Sequence, residues 1–108
     1  METTVTVRFS ETDLLGHVNN TSYFIYLEEA RLHFLKEMEQ ELKVRDWTFI
    51  LASTKCDFLS QAYFDQVLKI ETTVSKVGTK SFQLEHSISC KQTGIPIAKG
   101  HAVLVQFN

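Results

Sequence analysis

One stretch of ten consecutive residues is dense in side chains able to do chemistry. The run Glu11-Thr12-Asp13-Leu14-Leu15-Gly16-His17-Val18-Asn19-Asn20 carries carboxylates, an imidazole and amides directly before a helical pattern. The first turn of a helix presents unpaired N–H groups and a partial positive charge. Such an end stabilises an oxyanion. A carboxylate a few residues upstream can act as nucleophile or general base. A carboxylate beside an oxyanion site suits hydrolysis of an activated acyl group, and Asp13 is the residue placed for it. The same residue types also cap helices and form turns, so Asn19 and Asn20 read first as structural. His17 suits three roles: a hydrogen-bond partner within the loop, an acid–base group or a substrate contact. Gly16 supplies a positive φ or a close backbone approach.

Elsewhere the signals are weaker. His33 falls mid-helix, His86 on the inward face of a strand and His101 in the last strand, with no metal-ligand spacing on any one element. Cys56 shares a strand face with Ile50, Ala52, Thr54 and Phe58 and reads as a small core residue. Cys56 and Cys90 are the only cysteines and have no CxxC partner, so a structural zinc site is excluded and a disulfide scaffold is not expected. The chain contains no GxSxG, Walker or GxGxxG motif. Phe24, Tyr26, Phe58 and Tyr63 are aromatic residues available to line an acyl pocket, although a Tyr/Phe stripe on a helix reads first as core.

These residues need elements to position them. Residues 4–10 alternate, with Val5, Val7 and Phe9 pointing one way, and predict a half-buried strand. Residues 21 to about 40 predict one long helix, capped by Thr21 or Asn20. Apolar residues cover nearly the whole circumference of its first two turns, which predicts burial on all sides. Residues 47–59, 66–77, 81–90 and 95–107 predict four strands. On the second of these, Leu68, Ile70, Thr72 and Val74 share a face. On the third, Phe82, Leu84, His86, Ile88 and Cys90 point inward. Short turns at Gly78-Thr79-Lys80 and Gln92-Thr93-Gly94 join the last three into an antiparallel meander. The small side chains of Ala98, Gly100 and Ala102 mark where the helix lies against the sheet. Strand, helix, then four strands is an α+β order with helix and sheet segregated.

Composition bounds the rest. At 108 residues the chain predicts a single domain, 1–108, with ordinary globular composition: 44% hydrophobic and 22% charged. A net charge of −2 offers no attraction for nucleic acid or an anionic membrane. The longest apolar run, Tyr23 to Leu27, is five residues, far short of a bilayer span. Met1-Glu2-Thr3-Thr4 lacks the charge and apolar stretch of a signal peptide, so the expected location is the cytoplasm.

The segment Val7-Arg8-Phe9-Ser10-Glu11-Thr12-Asp13-Leu14-Leu15-Gly16-His17-Val18-Asn19-Asn20, followed by Ser22-Tyr23-Phe24-Ile25-Tyr26-Leu27-Glu28-Glu29-Ala30-Arg31, resembles the opening of the 4-hydroxybenzoyl-CoA thioesterase family. Phe58-Leu59-Ser60-Gln61-Ala62 and Asp65-Gln66-Val67-Leu68 resemble the segment entering that family's long strand. The resemblance implies a hotdog fold: a long central helix wrapped by a five-stranded antiparallel sheet in the order 1-3-4-5-2. It implies an acyl-CoA substrate, no metal or redox cofactor, and a homodimer or homotetramer with sites at the subunit interface. It implies Asp13 as nucleophile or general base, the Asn20 amide as the group polarising the thioester carbonyl, and Gly16 as the point of tight approach. His17-Val18-Asn19-Asn20 is also similar to the His-Val-Asn-Asn of acyl-carrier-protein thioesterases. Those proteins carry a catalytic Asn two residues before the His, where this chain has Leu15. His17 is therefore a contributor of open role. The turn Gly78-Thr79-Lys80-Ser81 lies where family members often contact the CoA arm. Lys80 and Ser81 thus join Gly16, Val18 and Asn19 as the substrate contacts the resemblance implies, Lys80 toward a phosphate, although a solvated hairpin lysine is the plainer reading. This chain ends at Asn108, where family members often run further.

Rival readings are a non-catalytic acyl-CoA binding module on the same scaffold, a carrier-protein thioesterase, a hotdog dehydratase or hydratase, and a purely structural dimer. The dehydratase pattern carries an Asn-Pro between its Asp and His, and Pro96 is the only proline here.

Overall fold

A computed structural model describes residues 1–42 and 48–107, with the main chain alone described at Leu42. Strand β1 (Glu2–Thr6) leads through a 3-10 turn (Phe9–Glu11) and a loop into helix α1 (Asn20–Leu42). Strands β2 (Phe49–Phe58), β3 (Val67–Val77), β4 (Ser81–Cys90) and β5 (Pro96–Gln106) follow. They form one antiparallel sheet in the order β1-β3-β4-β5-β2, as the resemblance implies. The expected strand start at Trp47 lies outside the described residues.

Alternation places β3 and β4 correctly. Leu68, Ile70, Thr72, Leu84, His86, Ile88 and Cys90 are buried. Val74 is 41% exposed where the pairing of β3 skips a residue between Val74 and Lys76, a bulge that bends the strand. The small-residue face of β5 meets the helix as expected. A Cβ on Gly100 would lie 2.7 Å from Leu27 Cδ2, so any larger residue there must displace the Leu27 side chain.

Three expectations need correction. Strand β1 stops at Thr6, and Phe9 is 76% exposed rather than inward. The Glu11 carboxylate accepts the Arg8 N–H at 2.9 Å and turns the chain back before Phe9 can continue the alternation. Second, α1 is not buried all round. Tyr23, Tyr26, Leu27, Ala30 and Phe34 face the sheet, while Ile25 and Leu32 on the other flank are more than half exposed. A sheet whose edge strands do not meet covers only one side of the helix. Third, β2 contributes less core than its composition suggests. It is an edge strand, so Ile50 and Phe58 are exposed and Cys56 is half-buried at the margin of the core.

The buried residues form two clusters along α1. The larger, around Tyr23, Tyr26, Leu27, Leu68, Ile70 and Ile88, lies toward the helix N-terminus. The smaller is built from Phe34, Leu84, Ala102 and Leu104. The helix start and the loop before it therefore rest on the more extensive packing.

Candidate active site

The loop before α1 is a tight reversal. The Asp13 N–H donates to the His17 carbonyl at 2.9 Å, and Thr12 and Val18 pair as an antiparallel bridge. Gly16 takes a φ of 85° at the turn, the conformation that favours glycine. Its N–H donates to the Asp13 carbonyl at 3.1 Å. The Val18 N–H donates to the Ala62 carbonyl at 2.8 Å and fastens the reversal to the segment between β2 and β3.

That geometry fixes Asp13. Its Oδ1 accepts the Leu15 N–H at 2.8 Å, and its Oδ2 lies 3.2 Å from His17 Nδ1. Both side chains stay partly open to solvent, at 31% for Asp13 and 19% for His17. Asn19 caps the helix: its Oδ1 accepts the Thr21 N–H at 3.2 Å and the Thr21 hydroxyl at 3.1 Å. The cap thus lies one residue before Asn20 and two before Thr21, the expected positions. Asn20 becomes the first helical residue, and its N–H makes no hydrogen bond to the described residues.

Asn20 lines a cavity of about 250 Å³ together with His17, Val18, Tyr23, Phe58, Leu59, Ser60 and Gln61. Tyr23 forms its buried wall and accepts the Ala62 N–H at 3.3 Å. Burial pushes the Tyr23 hydroxyl above its ordinary pKa, which keeps the wall neutral. His17 spans the arrangement, with its ring on the cavity and its Nδ1 on Asp13. A carboxylate, an imidazole, an unpaired helix-terminal N–H and a partly apolar cavity thus come together. That set can polarise a carbonyl and deliver a base or nucleophile to it.

Of the candidates from the sequence, Asp13, Gly16, His17, Val18, Asn19 and Asn20 are brought together. Lys80 and Ser81 are not. Their hairpin is at the opposite end of β4, and the eight steps from Phe82 to Cys90 span about 26 Å at strand rise. Of the aromatics, Phe58 lines the cavity and the Tyr63 ring stands 6.4 Å from that of His17. The Tyr26 hydroxyl points instead into a buried contact with Glu11. Leu59, Ser60 and Gln61 were missed as lining residues, although they adjoin Phe58 in the second resembling segment. A larger groove of about 530 Å³ runs along the exposed flank of α1, past Ile25, Glu28, Leu32 and Phe49, and none of the candidate residues lines it. Among the described residues no three His, Cys, Asp or Glu side chains come together as metal ligands, and no helix is long and apolar enough to cross a membrane.

Residues 7–108 match the family described as the Thioesterase-like superfamily. The chain is 38% identical over 104 residues to the uncharacterised protein YsmA of Bacillus subtilis, covering 96% of this chain and 70% of that one. It is 30% identical over 86 residues to the acyl-CoA thioesterase YbgC of Helicobacter pylori, covering 80% and 65%. It therefore spans about two thirds of the length of these relatives. Among solved structures, the gentisyl-coenzyme A thioesterase BH1999 superposes with a TM-score of 0.87 at 31% identity, covering 100% of this chain and 89% of that one. A Thermus thermophilus thioesterase complexed with coenzyme A and Zn superposes with a TM-score of 0.84 at 28% identity, covering 99% and 78%.

Proposed function

This chain belongs to the Thioesterase-like superfamily, and from that premise we propose that it hydrolyses an acyl-CoA thioester to a free acid and CoA. The observation that carries the reading is the meeting of the Asp13–His17 pair with a cavity lined by Asn20, whose N–H makes no hydrogen bond to the described residues. The thioester carbonyl enters the cavity with its oxygen toward the Asn20 N–H. The partial positive charge of the helix end favours the tetrahedral oxyanion there. Asp13, oriented by the Leu15 N–H, attacks the carbonyl carbon or takes a proton from the attacking water. In the first route CoA leaves as the thiolate, water then cleaves the Asp13 anhydride to the free acid, and a proton from that water ends on the CoA sulfur. In the second, the proton taken by Asp13 passes to the leaving CoA sulfur. His17 holds Asp13 from the cavity side, and Gly16 permits the turn that faces the two side chains together.

The site in this reading is completed by a second copy of the chain. The exposed Ile25 and Leu32 flank and the open β2 edge with Ile50 and Leu51 leave apolar surface for it. Lys80 and Ser81 reach a CoA arm only if they come from that partner. Light scattering on the purified chain should then give a homodimer or a higher homo-oligomer.

The decisive experiment is release of free thiol from a panel of acyl-CoA esters, short aliphatic to aromatic, with Asp13→Asn as control. Asn keeps the shape and removes the base, and turnover should fall by at least ~10²-fold. Activity retained in Asp13→Asn overturns the assignment. Tight binding of an ester with no turnover in the parent protein moves the reading to an acyl-CoA binding module.

A further inference from the structure

Glu11 is a buried carboxylate that the chemistry above does not use, and it sits two residues before Asp13. Leaving water is costly for a carboxylate unless its lone pairs are met. Those of Glu11 are met from two directions. Oε1 accepts the Arg8 N–H and the Tyr26 hydroxyl, each at 2.9 Å. Oε2 accepts Arg8 Nε at 3.1 Å and Nη2 at 2.8 Å. Burial alone would raise the Glu11 carboxyl, but the hydrogen bonds from Arg8 and Tyr26 outweigh it and hold the group ionised, below the ordinary carboxylate range. The main chain of the same residue is engaged as well. Its carbonyl accepts the Asn19 N–H at 2.9 Å and the Ser22 hydroxyl at 3.1 Å.

Glu11 therefore joins both ends of the 12–19 reversal to the second turn of α1. One end leads into Asp13, and the other leads into Asn20. A local cap of the 3-10 turn would need only the Arg8 contacts. The bond to Tyr26, fifteen residues on, has no part in that cap and ties the turn to the helix that presents the Asn20 amide. Resting on the hydrolase reading, we propose that Glu11, clamped by Tyr26, is a positioning residue that sets the spacing between the Asp13 carboxylate and the Asn20 N–H. Displacements of about 1 Å at such a spacing cost up to ~10²-fold in rate.

Tyr26→Phe removes one hydroxyl and keeps the ring in the core, and Glu11→Gln removes the charge while keeping an acceptor. In an active parent, each should lower kcat on the best acyl-CoA ester by about tenfold and leave KM within about twofold. In an Asp13→Asn background the Tyr26→Phe effect should shrink below about twofold, because the spacing no longer serves a base. Amide exchange followed by NMR should quicken at Leu15 and Asn19 and stay unchanged along β4. In an active parent, wild-type kcat in Tyr26→Phe, a loss confined to KM, or an undiminished loss in the Asp13→Asn background overturns the proposal. Unchanged exchange at Leu15 and Asn19 overturns it in any background. A parent that hydrolyses no ester overturns the hydrolase reading instead, and faster exchange at the two amides then still supports the clamp.

Discussion

At the end of the molecule where α1 begins, two of the largest buried side chains are tyrosines, and both hydroxyls are hydrogen-bonded, Tyr23 to the Ala62 N–H and Tyr26 to Glu11. At the other end Phe34, Leu84, Ala102 and Leu104 bring no polar side-chain atom into the core. Apolar packing is non-directional and tolerates small shifts, whereas hydrogen bonds in a dry interior fix distances and angles. The polar end is also the end with the candidate catalytic loop. The contrast separates two kinds of core: the smaller far end is held by apolar packing alone, and the larger near end adds the hydrogen bonds that set geometry.

The largest effect that tests this division is at the far end. Leu84 is fully buried between the sheet and α1, and Leu84→Ala should cost about 3–4 kcal/mol. Urea unfolding would show it. Turnover per folded molecule should stay at the parent value, and a matching loss of kcat would break the contrast.

Between the two ends lies His86, 1% exposed, with its Nδ1 on Thr72 Oγ1 at 2.8 Å. Burial first, and then the cation of Arg31, bring its pKa down from 6.5 to about 4. The unfolded chain therefore takes up the proton first as pH falls. Stability from this group is full above about pH 6.5 and is lost between there and pH 4, up to ~3 kcal/mol. Urea midpoints across that range should fall with acid, and His86→Gln should flatten the dependence. An unchanged slope in that variant would assign the acid sensitivity to other groups.

The smallest effect sharpens the near end. Asn19→Ala removes the helix cap and should cost about 1 kcal/mol. Because Asn19 also precedes Asn20, whose amide is proposed to meet the oxyanion, turnover should fall even at temperatures where the variant is fully folded. Kinetics alongside thermal melts would separate the two losses, and a variant that loses only stability would make the cap purely structural.

How far the sequence reveals this molecule depends on how local each cause is. The faces of β3 and β4 follow from alternation over neighbouring residues, and the Asp13-to-Asn20 loop is legible because its chemistry is contiguous. Phe9 extends the alternation of β1 on paper, but a carboxylate two residues later captures the Arg8 N–H and ends the strand. Glu11 reads as a loop acid because its partner Tyr26 is fifteen positions away and reads as core. The exposed flank of α1 reads as buried because composition reports how apolar a helix is, not how wide a sheet covers it. Lys80 and Ser81 read as part of the site by resemblance, and strand lengths put them at the far end of this chain.

The glycine at position 100 has a mechanical meaning as well. A helix resting on a smooth sheet is free to creep along its own axis, and the hollow at Gly100 receives Leu27 as an indexing pin. Leu27 stands two turns, about 10.5 Å, after Asn20. The axial setting of the helix is thus read off the sheet close to the cavity rather than at the distant Leu42 end. Lengthening, fraying or re-sequencing the last turns of α1 should accordingly leave Asn20 where it stands at the cavity.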